Sequence, residues 1–229
     1  MSTFLLTFGA LLSIVNPFTG AFIYFGATRE LAPRMRALVS RWVAIYAFCL
    51  IAASLYIGAY VLEFFGISIP VLRVAGGIVI ALSAWRMLSQ PDATEQRRSE
   101  TPNPASMDVA PSRLAFYPLT MPLTTGPGTI AVAISLGSSR PTGFHAATLA
   151  FLLATVLAVA ALALLVYLLY RHSERLARLM GATGTSIVVR LSAFLLFCIG
   201  IQIFWNGAAE LLSALPLAAA GSAAASVTH

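Results

Sequence analysis

Asn16, Thr19, Thr124, Thr125 and Thr129 bring amide and hydroxyl groups into stretches that are otherwise apolar, and each stands at or near a proline. A hydroxyl donates to a carboxylate or caps a free carbonyl, and a carboxamide offers a donor and an acceptor together. That is the chemistry of holding a small ligand, not of breaking bonds. The residues belong to two short stretches, Ile14 to Ala21 and Thr124 to Ala131. Adding 110 to the first carries Pro17 onto Pro127, Thr19 onto Thr129 and Ala21 onto Ala131, with Asn16 falling on Gly126.

Each stretch ends one helix and starts another. Asn and Gly are accepted at an N-cap, and Pro is favoured at the first helical position because its missing N–H would have gone unpaired anyway. Half-helices are therefore predicted to begin at Pro17 and Pro127. The N–H groups of Phe18 to Gly20 and of Gly128 to Ile130 would lack helical partners and carry the positive end of the dipole. The Asn16 amide is expected to cap the first set. In hydrocarbon such donors need a partner, and paired discontinuous helices point to a transporter's binding site. Two ordinary proline kinks, repaired by threonines, are the plainer alternative; the matched register favours a site. Its predicted members are Asn16, Pro17, Thr19, Gly20, Thr124, Thr125, Gly126, Pro127, Gly128 and Thr129. Gly20, Ala21, Gly126 and Gly128 permit close backbone approach and leave room only for something small.

The elements that position these residues must lie in a bilayer. Hydrophobic residues make up 59% and charged residues 10% of the 229, with a mean hydropathy of +0.87. The apolar runs are long and unbroken, so they read as helices and not as barrel strands. Six spans follow, at about 3–27, 38–62, 68–89, 114–138, 143–170 and 186–212. No charge precedes the first run and no cleavage site follows it, so that helix is expected to be retained. All fourteen basic residues are Arg and the net charge is +6. They follow the loops, which argues against nucleic acid. Arg29, Arg34, Arg36 and Arg41, then Arg86, Arg97, Arg98 and Arg113, then Arg171, Arg175 and Arg178 mark three loops as cytoplasmic; only Arg140 falls on the other side. Both termini are then expected outside.

Three spans per half force the second half to enter the membrane from the opposite side. The expected fold is all-α and polytopic: six transmembrane helices in two inverted three-helix repeats, residues 1–89 and 114–212, with the first and fourth helices discontinuous. A Pro-rich cytoplasmic linker, 90–113, and an unordered Ala-rich tail, 213–229, complete the chain. Leu72 to Gly76 resembles Val189 to Ala193 at an offset of 117, which supports duplication.

Arg73 and Arg190 sit a turn or two inside their spans as gating or structural charges. Snorkelling, or holding carbonyls at the end of a broken helix, is the favoured role. Glu63 and Glu210 close the second and sixth spans and are available as partners. Cys49 and Cys198 read as small packing residues and not as a disulfide. No His pair, carboxylate cluster, Ser/His arrangement or G-x-x-x-x-G-K-[ST] loop occurs, and nothing suggests a voltage sensor or carbonyl filter. Catalytic residues, metal and cofactor are therefore not expected, and transport would be secondary or facilitated.

Ile14 to Gly20, Leu72 to Gly77 and above all Phe116 to Ala131, with Pro-Leu-Thr-Met-Pro-Leu-Thr-Thr-Gly-Pro-Gly-Thr, resemble the MarC family of bacterial inner-membrane proteins. The resemblance runs from Phe4 to about Leu212. It implies an inner-membrane location and, by the family's grouping with amino-acid exporters, a small neutral amino acid such as glycine or alanine as substrate. The expected partners are thus a small zwitterion and the lipid bilayer; the oligomeric state is left open. A non-transporting membrane scaffold or subunit is the rival expectation.

Overall fold

The computed structural model describes residues 2–89, 111–139 and 146–214. Most of the linker, Arg140, His145 and the tail lie outside these residues. The order is α1 (Ser2–Val15), α2 (Pro17–Thr28), α3 (Pro33–Phe64), α4 (Ile69–Ser89), a single turn α5 (Pro111–Leu114), a wide-wound α6 (Ala115–Thr124), α7 (Pro127–Ser138), α8 (Ala146–Arg171) and α9 (Ser173–Ser213). Five stretches among the described residues are long and apolar enough to cross a membrane, or six if the pair Pro111–Thr124 and Pro127–Ser138, bent by 70°, is one span. The all-α polytopic expectation holds.

Helical spacing decides which face of each span is buried. On α3, Val39, Val43, Ala47, Ile51 and Leu55 recur every four residues and are buried. On α8, Thr155, Val159, Leu162, Val166 and Tyr170 face inward, while Leu149, Leu153, Leu157, Leu164 and Leu168 are exposed. The outer stripe is the lipid-facing one, because in a bilayer apolar exterior is not a cost. Cys49 and Cys198 are free and exposed, so the packing role expected of them is corrected.

Several boundaries differ from the pattern reading. α3 is longer at its start, where Pro33 takes the first helical position. It stops where Gly66, at φ 67°, lets the N–H of Ile67 turn back to the Leu62 carbonyl at 2.9 Å. α9 begins thirteen residues before the predicted span, at Ser173, and changes direction at Gly181 (φ 64°). The sequence pattern registered only its apolar part.

At three glycines the main chains of α4 and α9 approach each other directly. A Cβ on Gly77 would strike the Phe204 backbone nitrogen, one on Gly200 would stand 2.6 Å from the Ala81 nitrogen, and one on Gly207 would stand 2.6 Å from the Pro70 carbonyl oxygen. Small residues at membrane helix contacts allow this approach.

Candidate functional site: two cavities beside the broken helices

Both predicted interruptions exist, and their backbones differ. Asn16 adopts the left-handed conformation (φ 44°, ψ 63°), which few residues other than Gly tolerate as well as Asn. Its N–H still bonds the Leu12 carbonyl at 3.0 Å, and α1 with α2 forms one span, Thr3–Thr28. At the aligned position Gly126 is extended (φ −79°, ψ 174°), and there the chain turns sharply. The Asn16 side chain makes no capping hydrogen bond, which corrects the expected cap. Gly20 N–H reaches the Asn16 carbonyl at 3.0 Å and Ile130 N–H the Gly126 carbonyl at 3.2 Å. Each N-cap carbonyl accepts the first intrahelical bond, so the stretch of bare donors is one residue shorter than predicted at each break.

The segment before the second break winds wide. Pro118 and Pro122 withdraw two donors from the helical ladder, and both follow cis peptide bonds. Thr120 Oγ1 donates to the Ala115 carbonyl and Thr124 Oγ1 to the Leu119 carbonyl, each at 2.7 Å and five residues back. The N–H of Thr125 likewise donates to the Thr120 carbonyl at 2.8 Å. Thr124 is therefore a repair residue. Thr19 and Thr125 are not: both hydroxyls are buried without a hydrogen-bond partner among the described residues.

Two tyrosines tie the breaks together. Tyr170, fully buried on α8, shares a hydrogen bond of 2.9 Å with Thr124. The same hydroxyl fills the space over Gly20. Tyr24 stacks on it with ring centroids 4.7 Å apart and donates to the Arg36 carbonyl at 2.6 Å. Sequence reasoning passed over both. A phenol in a span that needs a polar partner was the available signal.

Ion pairs join the halves at both ends of α9. Arg36, largely buried against Phe25, reaches Glu174 at 3.1 Å. Arg73 bonds Glu210 at 2.6 Å through Nη1 and Ser135 Oγ at 2.8 Å through Nε. Arg73 thus pairs with side chains, Glu210 being the partner the sequence offered; of the two roles expected of it, the carbonyl contact is not among its bonds here and snorkelling is not decided by them. Arg190 is exposed on α9 and lines neither cavity described next.

Beside these breaks lie two cavities. The larger, about 670 Å³, is bordered by the start of α7 (Gly126, Pro127, Gly128, Thr129), by Thr124, Pro122 and Tyr117, and by Ser83, Arg86 and Ile80 of α4. The smaller, about 420 Å³, is lined by Ser13, Arg73, Ser135, Asn206 and apolar residues including Ala131 and Val132. Arg73 and Arg86 are thirteen residues apart on α4, so their positions are separated by about 20 Å along its axis. Ile14, the last turn of α1 before the first break, contributes to both cavities. Of the predicted site, Thr124, Gly126, Pro127, Gly128 and Thr129 line the larger cavity and Arg73 the smaller. Asn16, Pro17, Thr19, Gly20 and Thr125 line neither. Arg86 and Ile14 were missed as site residues, Arg86 because a lone arginine near a span's end reads as an interface charge.

Among the described residues no group of three or more His, Cys, Asp or Glu could hold a metal. The geometry suits binding: a helix N-terminus, hydroxyls, one guanidinium per cavity and close backbone packing.

Known proteins place the chain. The model of the MarC family integral membrane proteins matches residues 1–212. The UPF0056 inner membrane protein MarC of Salmonella paratyphi A is 34% identical over 203 residues, 88% of this chain and 92% of the relative. The same protein from Citrobacter koseri and from Escherichia coli O1:K1 is similar to the same extent. No solved structure matches the chain. With the string from Pro118 to Thr129 wound into the second break and the match covering nearly all of both halves, the chain belongs to the MarC family of integral membrane proteins.

Proposed function

We propose that this protein is a secondary or facilitated transporter of small neutral amino acids, glycine- or alanine-like, or related small solutes. Its fold would be two inverted three-helix repeats in an inner membrane, the location its relatives' names carry, with both termini periplasmic. The observation that carries the reading is the pair of cavities near opposite ends of α4, both lined by Ile14 beside the first break. Cavities placed on two sides of a broken-helix pair are what alternating access would use. The unpartnered hydroxyls of Thr19 and Thr125 support it, since buried polar groups in a folded protein ordinarily have partners. Helix packing supports the repeat: α3 packs on α7 as α8 packs on α2, and α4 packs on α7 as α9 packs on α2.

The solute's carboxylate would meet the start of α7, with Thr129 beside it and Gly128 keeping the wall thin. A Cβ on Gly128 would strike Ile80. Uptake of labelled glycine or alanine into vesicles containing the purified protein tests this. Uptake by the wild type that is lost in Gly126→Leu is expected. No uptake by the wild type, with solute binding unchanged by Gly126→Leu, would favour the scaffold. Orientation is tested in a background lacking Cys49 and Cys198: an impermeant thiol reagent on intact cells should label Ser2→Cys and spare Ser112→Cys.

A further inference from the structure

We propose that the smaller cavity binds a free amino-acid zwitterion, its carboxylate taken by Arg73 and its ammonium by Glu210. This rests on the transport reading, which makes the two cavities stages of one solute path. Arg73 lies within the span Ile69–Ser89, where a charge is costly and tends to mark the route of a polar solute. Its ion pair contributes little to stability, because the two side chains are 29% and 50% exposed. What the pair provides is two opposite charges held at fixed positions beside a cavity of about 420 Å³. Ser135 on α7 accepts from Arg73 Nε at 2.8 Å and so sets the plane of the guanidinium. Glu210 Oε2 accepts from Nη1 at 2.6 Å. Glu210 stands one helical turn beyond Asn206, which lines the cavity, so the two share a face of α9.

Both partners keep bonding capacity. Among the described residues nothing bonds Nη2 of Arg73 or Oε1 of Glu210, although a guanidinium donates from both of its Nη groups and a carboxylate accepts at both of its oxygens. A zwitterion laid alongside the pair completes a ring of alternating charges and adds no net charge to the span. A lone anion would meet an arginine already compensated by Glu210, and a lone cation a glutamate already compensated by Arg73. Each would gain one ionic contact where the zwitterion gains one at either end. The wall formed by Ile14, Val132, Ile199 and Ile203 is apolar and suits a short aliphatic side chain. An ethanolamine phosphate headgroup carries the same two charges and has no side chain to fill that wall, so a free amino acid is the better match.

Calorimetry on the full chain in a maltoside detergent, which has no charged headgroup, tests this with alanine, acetate, methylammonium and glycerophosphoethanolamine. Alanine should bind more tightly than each of the others. Arg73→Gln and Glu210→Gln should each weaken alanine by roughly ten- to a hundredfold, the worth of a hydrogen bond to a charged group. They should also shift the charge preference in opposite directions: Glu210→Gln should bind acetate more tightly than the wild type does, and Arg73→Gln should do so for methylammonium. Loss of alanine affinity without that opposite shift would make the pair merely structural and overturn the proposal. Acetate or methylammonium binding as well as alanine would overturn it on the wild type alone. Glycerophosphoethanolamine binding more tightly than alanine would also overturn it, by giving the site to a lipid headgroup. Alanine binding that depends on both residues, in a protein taking up neither glycine nor alanine, would sink transport and leave this site standing. Alanine uptake unchanged in both variants would do the reverse.

Discussion

Tyr170 bonds Thr124 with the oxygen that occupies the space over Gly20, so one buried phenol touches both interrupted spans. The two breaks, 110 residues apart in sequence, are therefore packed as a unit. Gly20→Ala should destabilise the protein by about 1 to 3 kcal/mol through overpacking. Tyr170→Phe should cost about 1 kcal/mol, the net worth of its hydrogen bond. The double variant should lose less than the sum, because removing the hydroxyl opens the space that the new methyl needs. Thermal unfolding in detergent of the three variants measures the coupling; strict additivity would show that the contact has no energetic weight.

Gly137 and Gly9 make an opposed pair. A Cβ on Gly137 would run into the Leu55 carbonyl, whereas nothing lies within 4 Å of one on Gly9. Backbone cannot swing aside as a flexible side chain can. Gly137→Ala is expected to lower stability by about 2 kcal/mol or more, and Gly9→Ala to raise it by about 0.5 to 1 kcal/mol through helix propensity. Parallel melting curves decide it, and equal shifts for the two would contradict the packing described.

At the Arg73 end, the Glu210 side chain is 50% exposed, so the pair is screened. Glu210→Gln should change stability by less than about 1 kcal/mol. In the transport reading it should change uptake kinetics more, because it releases the Arg73 charge into the smaller cavity. Initial uptake rates set against melting temperatures of the same preparation separate these effects.

Glu174 serves two arginines of unequal depth. The Arg36 side chain is 10% exposed and that of Arg178 70%. Glu174→Gln leaves a buried guanidinium facing a neutral amide and is expected to cost about 1 to 3 kcal/mol. Arg178→Gln removes an exposed pair one helical turn apart and should cost under about 0.5 kcal/mol. Denaturation of both variants in one detergent tests the ranking.

The interruptions were legible because Pro17, Pro127, Asn16 and Gly126 act through local backbone chemistry, and spans announce themselves by composition. What stayed hidden was tertiary. Nothing near Arg36 in the chain points to Glu174, 138 residues away, and nothing near Tyr170 points to Gly20. The five-residue bonding of Ala115 to Thr124 was unreadable for a different reason: the two prolines signalled a break, and the wide turn shows only in the threonine hydroxyls and the Thr125 N–H that bond five residues back. Arg86 looked like its neighbours in the positive-inside pattern and differs from them by the wall it faces.

The bare backbone contact between α4 and α9 has a mechanical consequence. At Gly77, Gly200 and Gly207 no side chain separates the two main chains, so sliding either helix along the other would drive a side chain into main chain at these points. Small changes of angle meet no such obstacle. Since α4 ends the first half and α9 ends the second, the proposed transport would have the halves pivot about this seam, with the interrupted spans as its travelling arms.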